Sequence, residues 1–138
     1  MNANARVTET PDRRAVLSTL WVFVVLNYLY GDLAMMIFHP ATYKTVAGRM
    51  SEGLVLGATV FMELPMAMVL LSRILRHAVN RWANITVGAV FSVFALVTLL
   101  PGKAPAFLVF LSVVEIAATV FIVWYAWTWA GPVDKKAG

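Results

Sequence analysis

The sequence predicts an all-α fold, a four-helix transmembrane bundle with both termini cytoplasmic. Three observations predict it. The 138 residues are 61% hydrophobic and only 13% charged, with a mean hydropathy of +0.78. A soluble domain carries about a quarter of its residues charged, so these few charges could not coat a globule in water. The apolar residues also fall into four long runs, and near-continuous runs favour helices over the alternating strands of a barrel.

Residues 1–14 are polar, hold Arg6, Arg13 and Arg14, and contain Pro11, so they read as a flexible cytoplasmic tail. The first span is expected over 15–38, stopped by His39 and Pro40. A polar loop, 41–52, leads into a second span over 53–75. The third is expected over 82–100, closed by Pro101 and Gly102, and the fourth over 104–130, closed by Gly131 and Pro132. Each approaches the ~20 apolar residues that cross ~30 Å of hydrocarbon. Residues 131–138 form a second short tail, and 15–130 make one domain.

Orientation follows from the cations. Arg6, Arg13 and Arg14 of the tail, Arg73, Arg76 and Arg81 around the second connection, and Lys135 and Lys136 lie on one side. Lys44, Arg49 and Lys103 lie on the other. The richer side is cytoplasmic by the positive-inside rule. Trp82, Trp124, Tyr125, Trp127 and Trp129 gather at that border as an aromatic belt. The Arg13-Arg14 pair could open a twin-arginine export signal. The run after it is long, contains Asn27 and Asp32, lacks a small-residue cleavage site and is followed by three more spans, so a membrane anchor fits better.

Polar residues inside the spans are the candidate functional groups. An ionisable side chain at mid-span costs about 2.5–3.5 kcal/mol on insertion scales and rarely faces lipid. At 1.5 Å per residue, Asn27, Glu63 and Glu115 all lie about 15 Å below the outer border, and Asp32 about 9 Å below it. The helical faces suggest inward orientation. Leu111, Ser112, Glu115, Ala118, Thr119, Ile122 and Ala126 share one side of the fourth span. Asn84, Gly88, Ser92 and Ala95 make a small-polar stripe on the third. Thr59, Glu63, Met66, Ala67 and Leu70 share a face of the second, where Pro65 can kink the helix. Asn27, Tyr28, Gly31, Asp32 and Met35 cluster on the first. The expected binding set is therefore Asn27, Tyr28, Asp32, Glu63, Glu115 and Thr119. No deep cation stands near the two glutamates, so at least one is expected to be protonated at neutral pH. A bland reading stands beside this one, in which both are neutral hydrogen-bonding glue between helices.

Other chemistries are excluded or unsupported. There is no cysteine, so disulfides and thiolate metal sites are absent. The two histidines, His39 and His77, lie at span borders rather than at haem depth. No nucleophile–base pair, metal cluster or phosphate loop marks an enzyme, and no cofactor is expected. The basic residues sit in short connections between spans, so nucleic acid is not an expected partner. The methionines read as packing residues, and Gly53-x-x-x-Gly57 as a contact between helices of one chain.

The stretches Leu26-Asn27-Tyr28-Leu29-Tyr30-Gly31-Asp32, Met62-Glu63-Leu64-Pro65-Met66-Ala67-Met68 and Asn80-Arg81-Trp82-Ala83-Asn84 resemble an uncharacterised bacterial family of small four-helix membrane proteins. Glu115-Ile116-Ala117 and Trp124-Tyr125-Ala126-Trp127 extend that resemblance over about 15–130. It implies a multi-pass protein of the bacterial inner (plasma) membrane but carries no activity. Size and layout are also similar to DoxX-like four-helix proteins. Small multidrug exporters share the helix count, but their essential glutamate lies in the first helix, where this chain has Asn27 and Asp32.

Three functions are expected to compete, of which a membrane enzyme or quinone-linked accessory is the weakest. One is a small transporter or solute- and proton-binding bundle using the mid-membrane carboxylates. Another is a non-catalytic subunit or scaffold that meets a membrane protein partner or a second copy of itself within the lipid bilayer. Topology is the first test. Reporter fusions at Lys136 and beside Asn80 should behave as cytoplasmic, and one beside Lys44 as external; an external C-terminus would reverse the assignment.

Overall fold

The computed structural model describes residues 12–130 as five helices. They are α1 (Arg13–Phe38), α2 (Pro40–Gly48), α3 (Glu52–Ile74), α4 (His77–Leu99) and α5 (Ala106–Trp127). Residues 1–11 and 131–138, most of the two expected tails, lie outside the described residues. Helices α1, α3, α4 and α5 are each long and apolar enough to cross a membrane. The shortest, α5, has 22 residues, which at 1.5 Å per residue gives about 33 Å.

Three boundaries differ from those expected. Helix α1 begins at Arg13, because the Asp12 carboxylate accepts from the Arg14 amide and caps the first turn. Arg13 and Arg14 thus belong to the helix and not to the tail. Helix α4 begins at His77, five residues before the expected start, so Arg81 is helical and only Leu75 and Arg76 join α3 to α4. The expected polar loop 41–52 is largely α2. Pro40 supplies its first turn, a position where the missing N–H costs nothing. Its nine residues cannot span a bilayer, and none is buried.

The long helices run up and down. Helix α1 packs against both α3 and α5, α4 packs most closely on α5, and α3 meets α4 more sparsely. The cyclic order is therefore α3–α1–α5–α4, with α1 and α4 on the diagonal. The side chains of Leu17, Trp21, Val24, Met68, Ile122 and Ala126 form the core cluster. All of them lie towards the end where α1 begins and α5 finishes, here called the closed end. At the opposite end every residue of α3 from 52 to 60 is exposed. The exterior is apolar: Leu26, Leu29, Leu56, Leu70, Ile74 and Phe110 all point outward.

A buried polar network ties the closed end together. The Trp21 indole N–H donates to Asn84 Oδ1 at 2.7 Å, and the Ser72 hydroxyl donates to the same oxygen at 3.2 Å. Asn84 Nδ2 donates to the Asn80 carbonyl and side-chain oxygens, and Asn80 Nδ2 donates to the Ser72 carbonyl at 2.6 Å. Ser18 donates to the Val69 carbonyl at 2.8 Å and accepts from Arg73 Nε at 3.0 Å. Below it, Arg13 donates to the Tyr125 carbonyl and lies over the Tyr125 ring, while Arg14 reaches the Arg73 carbonyl. Arg81 lies over the Trp127 ring, and Trp82 meets Trp127 edge-on.

The α4–α5 seam depends on Gly88. A Cβ there would stand 2.9 Å from Val123 Cγ2 and 3.3 Å from the Thr119 carbonyl oxygen. Gly53 and Gly57 have nothing within 4 Å of such a Cβ. The expected helix contact at Gly53-x-x-x-Gly57 is therefore wrong, because this half of α3 stands clear of the other helices. Gly88→Val should destabilise the protein by about 1–3 kcal/mol through overpacking. Gly57→Val should stay within about 0.5 kcal/mol, as open surface sites do. Unfolding midpoints of both variants in detergent check the contrast, and equal shifts would refute it.

Candidate functional site

Beyond the core cluster the four long helices part around a cavity of about 240 Å³. Helix α1 contributes Asn27, Tyr28 and Asp32, α3 contributes Met62, α4 contributes Phe94, and α5 contributes Glu115 and Ser112. The rest of the wall is mainly apolar. A dry cavity of about 150 Å³ already holds a benzene, so this one has room for a small organic molecule.

Each polar side chain is set by its helix. Asn27 donates through Nδ2 to the Leu111 carbonyl at 3.1 Å, which ties α1 to α5 at the cavity. Tyr28, one residue on, packs edge-on against Phe91 at 5.8 Å and tilted against Phe94 at 6.5 Å. Phe61 of α3 stacks on Phe91 at 4.5 Å, which backs this aromatic wall. Glu115 is only 5% exposed. Its Oε1 and the Tyr28 hydroxyl are both buried with no hydrogen-bond partner. Buried polar groups are normally paired, and an unmade bond costs about 1–3 kcal/mol. Two such atoms in one cavity therefore mark a place where a ligand's donor has something to gain. Asp32 is exposed, one turn from Tyr28 towards the α2 end.

The expected binding set divides into three. Asn27, Tyr28, Asp32 and Glu115 line one cavity, on the faces of α1 and α5 that the sequence marks as inward. Thr119 shares the buried face of α5 but lies outside the cavity. Its hydroxyl donates to the Glu115 carbonyl at 2.9 Å and meets the Ser92 hydroxyl at 2.7 Å, so it joins α5 to α4. Glu63 does not fit the expectation at all. It is exposed and lines none of the cavities described here. Thr59, Met66 and Leu70 of its expected inward face are exposed too, and α3 instead buries Pro65, Met68 and Ser72. The layer of two facing glutamates is thus corrected to one buried acid, Glu115, with Asp32 above it. The physical reason is that α3 is oriented by the buried Pro65, Met68 and Ser72, and Glu63 lies on roughly the opposite side of the helix from Pro65 and Ser72.

Sequence reasoning missed Met62 and Phe94 as wall residues. Phe94 adjoins the buried stripe Asn84, Gly88, Ser92 and Ala95, whose register could have identified it. Met62 carried no such signal. Among the described residues no three His, Cys, Asp or Glu side chains come together as a metal site. The cavity offers hydrogen-bond acceptors, carboxyl oxygens and aromatic faces, a set that suits a cation or donor with an apolar body.

Substitutions separate cavity groups from packing groups. Tyr28→Phe removes a hydroxyl that bonds nothing, and Glu115→Gln keeps the side-chain shape. Both should fold within about 0.5 kcal/mol of the parent. Thr119→Val removes the link between α5 and Ser92, which keeps its bond to the Gly88 carbonyl, and should cost about 0.5–1.5 kcal/mol. Chemical unfolding in micelles reads the three side by side; Thr119→Val matching the other two would contradict the division.

No curated protein and no solved structure matches the chain. One family model does, over residues 6–135. That stretch includes all five helices and every residue of the cavity, and it agrees with the resemblance to an uncharacterised family carried by the sequence. The chain belongs to DUF6326, a family of unknown function.

Proposed function

We propose that this chain is a multi-pass protein of the bacterial inner membrane that binds a small organic amine between its helices. In this reading the termini are cytoplasmic, and the cavity lies towards the outer leaflet. The observation that carries the proposal is that Glu115 and Tyr28 line one cavity and each has a buried oxygen without a partner. An ammonium head has donors for both oxygens. The Tyr28 and Phe94 rings offer π faces to the same charge. Asp32 attracts the cation at the cavity's outer end, and Met62 and Phe94 accept its apolar body. Exchange of the amine for a proton on Glu115 would make the bundle a small transporter.

A second reading has a specific observation in its favour. Glu63 and most of its helical face are exposed on α3. A carboxyl at that depth is costly against lipid, so a membrane partner covering α3 would relieve it. As a scaffold, the protein would tolerate Glu115→Gln and lose its partner on Glu63→Leu.

Benzylamine titrated into protein in nanodiscs tests the amine reading. Saturable binding is expected, at least tenfold weaker in Glu115→Gln, a change of about 1.4 kcal/mol. Benzyl alcohol, which lacks the charge, should bind more weakly than the amine. No saturable binding up to millimolar amine, or equal affinity in Glu115→Gln, would overturn the proposal.

A further inference from the structure

A second cavity, of about 190 Å³, lies in the seam between α1 and α3. Val25 and Leu29 line it from α1, and Pro65 and Met66 from α3. Tyr28, Asp32 and Met62 belong to its wall and also to that of the four-helix cavity. The two spaces therefore adjoin across those three side chains. Their chemistry differs. The four-helix cavity holds the buried Glu115 carboxyl, whereas the seam is apolar apart from Asp32 and Tyr28 at the shared boundary. Leu29 is 61% and Met66 49% exposed, so the far side of the seam opens onto the outer surface of the bundle. On a helix bundle clothed in exposed Leu, Val, Ile and Phe, that surface is the one acyl chains would touch.

We infer that the α1–α3 seam holds the apolar tail of an amphiphilic amine whose charged head sits in the four-helix cavity. The inference rests on the amine-binding reading and narrows its ligand class from small amines to tailed ones. The head bonds Glu115 and Tyr28. The first methylenes cross the boundary beside Met62 and Asp32. The tail then lies along Val25, Leu29, Pro65 and Met66, with its end among the lipid chains. Asp32 stands at the junction, where a carboxylate draws the head inward past an apolar groove. Such a ligand leaves hydrocarbon only at its head, so the seam gives shape selection and the four-helix cavity gives charge selection. Each methylene kept out of water contributes about 0.8 kcal/mol, whether lipid or groove receives it. Discrimination between tails therefore comes from fit.

Two amines in nanodiscs test this, with protein-free nanodiscs as the partition control. Benzylamine has no tail, and 4-butylbenzylamine has one. Leu29→Trp and Met66→Trp fill the seam from its exposed side. Each should weaken 4-butylbenzylamine binding at least tenfold and leave benzylamine within twofold. Met66→Ala, which removes wall instead of adding bulk, should weaken only the tailed amine, by severalfold. If Glu115→Gln leaves both amines unaffected, the amine reading itself fails. If Glu115→Gln weakens both while the seam variants leave the tailed amine within twofold, the four-helix site stands and the tail groove is overturned. Equal weakening of both amines by the seam variants would overturn it as well, since the seam would then act only through the shape of the main cavity.

Discussion

The side-chain amide of Asn84 is the interaction on which the rest of the bundle depends. It lies fully buried, and both of its polar atoms are engaged: its oxygen by Trp21 of α1 and Ser72 of α3, its nitrogen by Asn80 one turn below. Three of the four long helices thus meet at one group. In a bundle whose outer surface is hydrocarbon-like, apolar contact between helices gains little over contact with lipid. A satisfied polar network is different, because breaking it strands donors and acceptors away from water. It fixes which faces of α1, α3 and α4 turn inward, and it places the fully buried Trp21 against Phe91.

With one end held in this way, the other can remain open. At the closed end the polar atoms of Asn80, Asn84, Ser18 and Ser72 are hydrogen-bonded, while His77 Nε2 and Arg81 Nε at the start of α4 are buried without a partner. In the cavity beyond, Glu115 Oε1 and the Tyr28 hydroxyl stay unpaired. Both ends are built from the same kinds of residue, so composition does not distinguish glue from binding group. Satisfaction does. Thr119 and Glu115 sit one turn apart on one buried face, yet the first is bonded to Ser92 and the second lines the cavity with its Oε1 unpartnered.

Much of this was legible in the sequence, and the failures have a common cause. The four apolar runs identify the long helices, and the inward faces of α4 and α5 follow from small and polar residues at helical spacing, whereas on α1 Gly31 is buried but Asp32 is exposed. Asn84, Gly88, Ser92 and Ala95 are all buried, as are Ser112, Glu115, Thr119, Ile122 and Ala126. On α3 the cost of an acid against lipid points Glu63 inward, whereas the buried side carries Pro65, Met68 and Ser72, roughly opposite it. The chemical cost of an exposed acid is a real penalty, but the position of α3 is set elsewhere, by Ser72 in the network and by Pro65 and Met68 in the core. The roles of Trp21, Ser18, Ser72 and Asn80 were not legible, because hydrogen bonds between helices join residues far apart in the chain. Helix α2 escaped notice because a nine-residue helix with no buried side chain has no hydrophobic periodicity to read.

The sparse meeting of α3 with α4 has a mechanical consequence. The close contacts are those of α1 with α3 and of α4 with α5, so the molecule is two stiff hairpins joined side by side. Helix α2 braces the first hairpin at its tip, with one residue, His39, leading in and three residues, 49–51, leading out. The Asn84 network and the Arg13 clasp on Tyr125 pin the hairpins at the opposite end. Such an assembly has the compliance of tweezers. Spreading the arms at the α2 end strains the Asn27 bond to the Leu111 carbonyl and the His39–Phe107 stack, changing the width between hairpins while leaving the geometry inside each one intact. The four-helix cavity lies between the arms and can change volume. The α1–α3 seam lies within one arm and keeps its shape.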